Sequence, residues 1–177
     1  CRKAIQLTCL GVADTYQGCE TLQNYLVDPD NRGAAPWDDL AASLADLSER
    51  PPATLAEEKL HLTASLLRLR RRRPDAFVGP DATYRPLPSS TGHALCFSRG
   101  RDARVVTVAT RLQRGLTASG GLGEHTVVLP DGRWVDVLTD RSVEGGSVAL
   151  AELLDTYPCA VLERADVLGC FDGEDLI

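Results

Sequence analysis

Methionine is absent from all 177 positions, the first included. A complete translation product normally opens with it, so the chain is expected to be a fragment or a processed product. Equally absent is any apolar run near the roughly 20 residues that cross a bilayer. Cys1-Arg2-Lys3 leads into a mixed segment without the apolar core of a signal peptide. No membrane partner is expected, and the cytoplasm is the expected compartment. A basic excess is missing too. Lys and Arg number 19 against 25 Asp and Glu, a formal charge of −6, which argues against a nucleic-acid partner.

Missing motifs exclude several chemistries. The six cysteines, at 1, 9, 19, 96, 159 and 170, include no CxxC pair, so neither a zinc ribbon nor a thioredoxin-like redox site is indicated. Reduced, buried thiols are expected. His61, His93 and His125 have no neighbour at metal-ligand spacing. No Gly-x-Ser-x-Gly elbow, Walker loop or EF-hand loop occurs. Gly120-Gly121-Leu122-Gly123 lacks the strand-to-helix setting of a nucleotide site and reads as a loop. Neither a metal nor an organic cofactor is expected. Arg68 and Arg70 to Arg73 form the most basic stretch, but Pro74 follows at once. They read as a helix end whose cations complement the macrodipole, not as a phosphate patch.

What is present is the composition of a globular protein, 44% apolar and 25% charged. A chain of this length can bury about 70% of its unfolded surface. Gln6 to Cys9 and Val12 to Tyr16 read as a helix end leading into a short buried strand. Trp37, Leu40, Ala41, Leu44 and Leu47 recur at helical steps behind Pro36. Thr54 and Glu57 form a capping box that opens a second helix carrying Leu55, Leu60, Leu62, Leu66, Leu67 and Leu69. It should run to about Arg72. Beyond Phe77 the pattern turns to short strands: 94–98, 104–110, 125–129, 133–138, 147–150 and 159–163. Pro130-Asp131-Gly132 between two of them predicts a hairpin turn. A small antiparallel sandwich is expected there, followed by a loose acidic tail from Arg164 to Ile177.

Some residues carry a more specific message. Gly11-Val12-Ala13-Asp14-Thr15-Tyr16-Gln17-Gly18, then Glu20, followed by Leu26-Val27-Asp28-Pro29-Asp30-Asn31-Arg32, resembles the segment around the eighth barrel strand of the α-amylase family of glycoside hydrolases. Within that family the string is most similar to the glucan glucosylmutases that form malto-oligosyltrehalose. Lys59-Leu60 through Arg71 resembles their last barrel helix. Val108-Ala109-Thr110-Arg111-Leu112, Leu129-Pro130-x-Gly132-x-Trp134-x-Asp136-x-Leu138-Thr139 and Tyr157-Pro158-Cys159-Ala160-Val161-Leu162 resemble their C-terminal β-domain. Leu10, Ala13, Cys19 and Leu122 depart from the family's usual Pro, Pro, Ser or Thr, and Trp.

The resemblance implies an α+β fragment. Residues 1–77 would hold the last strand and helices of a (β/α)8 barrel, and residues 78–177 a small antiparallel β-sandwich. It implies a malto-oligosaccharide substrate whose reducing-end α-1,4 bond becomes an α,α-1,1 bond, by the mechanism of a retaining glycosidase. The catalytic carboxylates would lie upstream, in a missing N-terminal barrel of the same polypeptide, so no catalytic residue is expected in this chain. Asp28 and Arg32 match family positions that hydrogen-bond a glucose ring. Tyr16, Gln17 and Glu20 are further candidates for substrate binding, more often structural. An amylase-like hydrolase fragment and a non-catalytic glucan-binding or packing module are the alternatives. With few aromatic platforms, Trp134, Tyr84 and Tyr157 among them, the β-part is expected to be mainly structural.

Overall fold

The computed structural model describes residues 1–16, 18–24 and 33–165. Among these residues four helices precede the sheet: α1 (Arg2–Thr8), α2 (Trp37–Asp46), α3 (Leu55–Arg72) and α4 (Pro74–Phe77). The capping box forms as the sequence predicts. Thr54 accepts from the Glu57 amide, and the Glu57 carboxylate accepts from the Thr54 amide. With Arg50 and the Ala53 amide also donating to it, the Glu57 carboxyl is lowered to about 2. α3 ends at Arg72, one residue before Arg73, where Pro74 starts the short α4.

Six strands follow: β1 (Tyr84–Pro86), β2 (Ala94–Arg99), β3 (Val105–Thr110), β4 (Thr126–Asp136), β5 (Ser142–Ala149) and β6 (Cys159–Arg164), with α5 (Gln113–Ala118) and α6 (Leu150–Leu153) between them. They form one antiparallel sheet of order β1-β2-β3-β6-β4-β5. The expected sandwich of two sheets is therefore corrected to a single sheet that curls. Ser89, just past β1, bridges Val127 of β4, and the Val128 amide donates to the Pro88 carbonyl, so the segment after the first strand reaches across to the last but one. The curl encloses an interior of its own, which is why a second sheet is not needed to cover it.

That interior holds Val106, Val108, Val127, Leu129, Trp134 and Leu162. The outer face of the same strands offers Val105, Ala109 and Val161, against which pack Ala4 and Leu7 of α1, Leu62, Leu66 and Leu69 of α3, and Phe77 of α4. All six residues of β3 are buried; its unbroken Val-Val-Thr-Val-Ala-Thr run suits a strand covered on both faces. The outer core is built from residues on both sides of Phe77, the last residue of α4.

Two local expectations are corrected. Pro130-Asp131-Gly132 makes no hairpin; it lies inside β4 as a bulge. The four steps from Leu129 to Arg133 face only two on β5, from Gly146 to Glu144. Proline suits such a site because it has no amide to pair. The partner strand makes room with Gly145, where a Cβ would stand 2.4 Å from the Pro130 carbonyl oxygen. The hairpin turns later, between β4 and β5, through Asp140 at φ 57°. Residues 12–16 are not a strand, because none of the six strands reaches them. α2 forms where its periodicity places it, yet none of its residues is buried and Trp37 is 53% exposed.

The arginine run behaves as a helix end. Arg72 and Arg73 both grip the buried Glu163 carboxylate of β6, at 2.6 and 2.8 Å, while Arg70 donates to the Leu7 carbonyl and lies over the Phe77 ring. Cys96 and Cys159 are buried as expected, but Cys1, Cys9 and Cys19 are only half-buried; Cys170 lies outside the described residues. Among the described residues no helix is long and apolar enough to cross a membrane.

Candidate functional site

Tyr16 and Glu20 are the two candidate sugar contacts that fall within the described residues. Gln17, Asp28 and Arg32 lie outside them. Gly11, at φ 105°, lets the chain reverse after α1, and residues 12–16 run back beside that helix, tied by Gln6 Nε2 donating to the Asp14 carbonyl (2.6 Å). Their side chains alternate as a strand's would. Ala13 packs on the outer core and the Thr15 hydroxyl is sealed from solvent. On the opposite side Val12 is 97% exposed, and Leu10 and Tyr16 are also exposed.

Tyr16 lines a groove of about 460 Å³ with Arg2, Lys3, Gln6, Asp14, Cys19 and Lys59. Lys3 Nζ donates to Gln6 Oε1 (3.1 Å) and lies 3.7 Å from the Cys19 sulfur. Lys59 Nζ donates to the Thr21 carbonyl (2.5 Å), pinning the turn against α3. Three cations face the single carboxylate of Asp14, so the groove favours hydroxyl oxygens or an anion over a cation. Glu20 does not enter it. Its carboxylate is half-buried, with Oε2 shielded from water and without a hydrogen-bond partner among the described residues. The sequence reading missed Lys3, Gln6 and Lys59. The three-residue spacing of Lys3 and Gln6 on one helix face was an available signal; Lys59 is brought in from α3 and had none.

Among the described residues of the groove no nucleophile is paired with a base. The sheet thiols are poor nucleophiles, because burial pushes Cys96 up to about 11 and Cys159 in the same direction. Nor do three His, Cys, Asp or Glu side chains converge anywhere among the described residues in a way that could hold a metal.

No protein-family model matches the chain. Two proteins of Mycobacterium tuberculosis, from strains CDC 1551 / Oshkosh and ATCC 25618 / H37Rv, are assigned as maltooligosyl trehalose synthase. Each is 35% identical to it over 166 residues, 92% of this chain and 20% of the relative. Among solved structures, maltooligosyltrehalose synthase from Arthrobacter ramosus superposes with a TM-score of 0.81 at 36% identity, covering 92% of this chain and 21% of the other. DSM5389 glycosyltrehalose synthase superposes at 0.68 and 25% identity, covering 92% and 19%. The chain thus spans about a fifth of the length of the relatives it matches. In sequence and in fold it is a relative of the maltooligosyltrehalose synthases and corresponds to their C-terminal portion.

Proposed function

We propose that the chain is the C-terminal part of a cytoplasmic (1→4)-α-D-glucan 1-α-D-glucosylmutase of the α-amylase family, an isomerase acting in trehalose biosynthesis. The observation that carries this is the continuous likeness to a solved synthase over 92% of the chain at TM-score 0.81. In this reading residues 1–77 complete a (β/α)8 barrel and residues 78–177 form the appended β-domain. The one-sided strand pattern of residues 10–16 supports it: one face is packed on the chain's own helices, and the other presents Leu10 and Val12 bare. A parallel barrel strand is buried on both faces, so this stretch has the character of one whose neighbours are supplied from elsewhere.

The reaction would follow the retaining route. A carboxylate on the four-fifths of a synthase that this chain does not match attacks the anomeric carbon, and a second carboxyl group protonates the leaving oxygen. The released glucose stays bound and returns through its anomeric hydroxyl, so exclusion of water decides between isomerisation and hydrolysis. No step needs a cofactor. This chain would contribute to holding the sugar: Asp28 and Arg32 by hydrogen bonds to ring hydroxyls, with Tyr16, Gln17 and Glu20 as further candidates.

Exchanging the matched fifth of the Arthrobacter ramosus synthase for this chain tests the reading. The chimera is expected to consume the reducing ends of maltohexaose without releasing glucose, while the isolated chain leaves maltohexaose unchanged. A gain of reducing ends would indicate a hydrolase instead, and a folded chimera doing neither would sink both readings. The barrel-strand assignment has its own measurement in Val12→Asp. Since Val12 is 97% exposed, the substitution is expected to leave the melting temperature of the isolated chain unchanged. In the chimera, where it would bury a charge, it should cost several kcal/mol. Equal silence in both proteins would count against the barrel strand.

A further inference from the structure

A second groove, of about 500 Å³, lies on the opposite side of Tyr157 from the N-terminal helices, between α5, α6 and the loop at 155–158. Its floor is apolar, with Leu116, Leu122 and Leu154, and its rim carries Gln113, Thr117 and Asp155. The rim is built by the way α5 is seated. Gly115 packs against His93 so closely that a Cβ would come within 2.8 Å of the imidazole Cε1. Gln113 and Thr117, one turn apart on the same face, line the groove, and both are exposed. Leu112 starts α5 in the left-handed region at φ 53° although its side chain is 61% exposed. No packing of that side chain accounts for so strained a position for a residue with a Cβ.

The electrostatics narrow the ligand. The Asp155 carboxylate accepts from Arg141 (2.5 Å) and from the Thr156 hydroxyl (2.9 Å), so the rim carries no unbalanced charge to recruit an anion or a cation. The Thr117 hydroxyl donates to the Gln113 carbonyl (3.0 Å) and keeps lone pairs for accepting. The Gln113 carboxamide has no partner among the described residues, and offers both a donor and an acceptor. An apolar floor under neutral groups that both donate and accept matches a sugar, whose ring carbons are apolar and whose hydroxyls do both.

We propose that this groove is a binding site for a short α-1,4-linked glucan segment, separate from the Asp28–Arg32 loop. The choice of glucan among sugars rests on the synthase reading above. Binding is expected to be weak, with a dissociation constant on the order of 1 mM, since the groove is open and few groups are ordered by it. The test is to titrate the full 177-residue chain with maltohexaose and follow backbone amide NMR shifts. Shifts are expected at residues 113–117 and 154–157. They should be weakened at least about fivefold by the Gln113→Ala/Thr117→Val pair, which removes two exposed hydrogen-bonding groups, and left intact by Asp28→Ala/Arg32→Ala. Absence of shifts at about 10 mM sugar, shifts confined to residues 10–24, undiminished binding by the double variant, or an equal response to cellohexaose would each overturn the proposal. The chimera's activity reports on the synthase reading alone: a silent chimera with the groove shifts intact would leave this site standing.

Discussion

Trp134→Ala is expected to lower the unfolding free energy by about 3–5 kcal/mol, the usual cost of emptying a fully buried tryptophan site. That is a large part of the 5–15 kcal/mol that typically holds a domain together. The indole is 0% exposed and fills the curl beside Val106, Leu129 and Leu162. It is held at its edge by Nε1–H donating to the Pro130 carbonyl (3.0 Å), and the Arg164 guanidinium lies 5.3 Å from its ring centre. Because the acceptor is the first residue of the β4 bulge, the tryptophan both fills the interior and fixes the irregular stretch of strand. Trp134→Phe should therefore cost less, about 1–2 kcal/mol, as most of the volume stays and one hydrogen bond goes. Denaturant unfolding followed by far-UV circular dichroism reads this in the parent and in both variants, without relying on the indole that is removed, since Trp134 is one of only two tryptophans. A loss below 1 kcal/mol for the alanine variant would mean the curl is not packed as described.

Asp136→Ala is expected to cost about 2–4 kcal/mol, the penalty for orphaning two buried backbone donors. Asp136 Oδ1 accepts from the amides of Leu138 and Val161, each at 3.2 Å, and Oδ2 accepts from the Thr139 hydroxyl (2.8 Å). One carboxylate thus joins the end of β4, the turn beyond it and β6. Its pKa is raised, with burial outweighing these hydrogen bonds. A carboxyl raised on folding contributes stability that is fully present below its unfolded pKa and is lost as pH rises through the folded value. Asp136→Asn keeps an acceptor for the two amides and removes the titration. The asparagine variant is therefore expected to gain on the parent as pH rises from below to well above the ordinary aspartate pKa of about 3.9. Urea midpoints at the two ends decide it. A difference between the two proteins that stays constant with pH would show that this carboxyl does not titrate differently on folding.

Features governed by local physics were legible from the sequence. The Thr54–Glu57 box, the stop before Pro74 and the strand at 105–110 each follow from a handful of adjacent residues, and each stands where it was read. Features decided by a distant partner were not. Pro130-Asp131-Gly132 carries the chemistry of a tight turn, and only the paired Gly145-Gly146 reveals that it is accommodated inside a strand. Strand periodicity gives the same alternation in a sandwich and in one curled sheet, because it records two covered faces and not what covers them. The site divides in the same way. Tyr16 is reachable by motif, whereas Lys59 joins its groove, and Gln113 and Thr117 theirs, through tertiary packing of residues that belong to no motif.

The Arg72–Glu163–Arg73 clamp and the outer core beneath it have an evolutionary consequence. Leu62, Leu66 and Leu69 of α3 share one interior with Val105, Ala109 and Val161 of the sheet, and the last turn of that helix is bonded to the end of the final strand. A recombination event that moved the sheet without the helix would strip both of half their apolar cover and leave a buried carboxylate unpaired. The unit able to pass intact from one gene to another is the helix together with the sheet, and seams tolerated by selection should fall before α3, not after it.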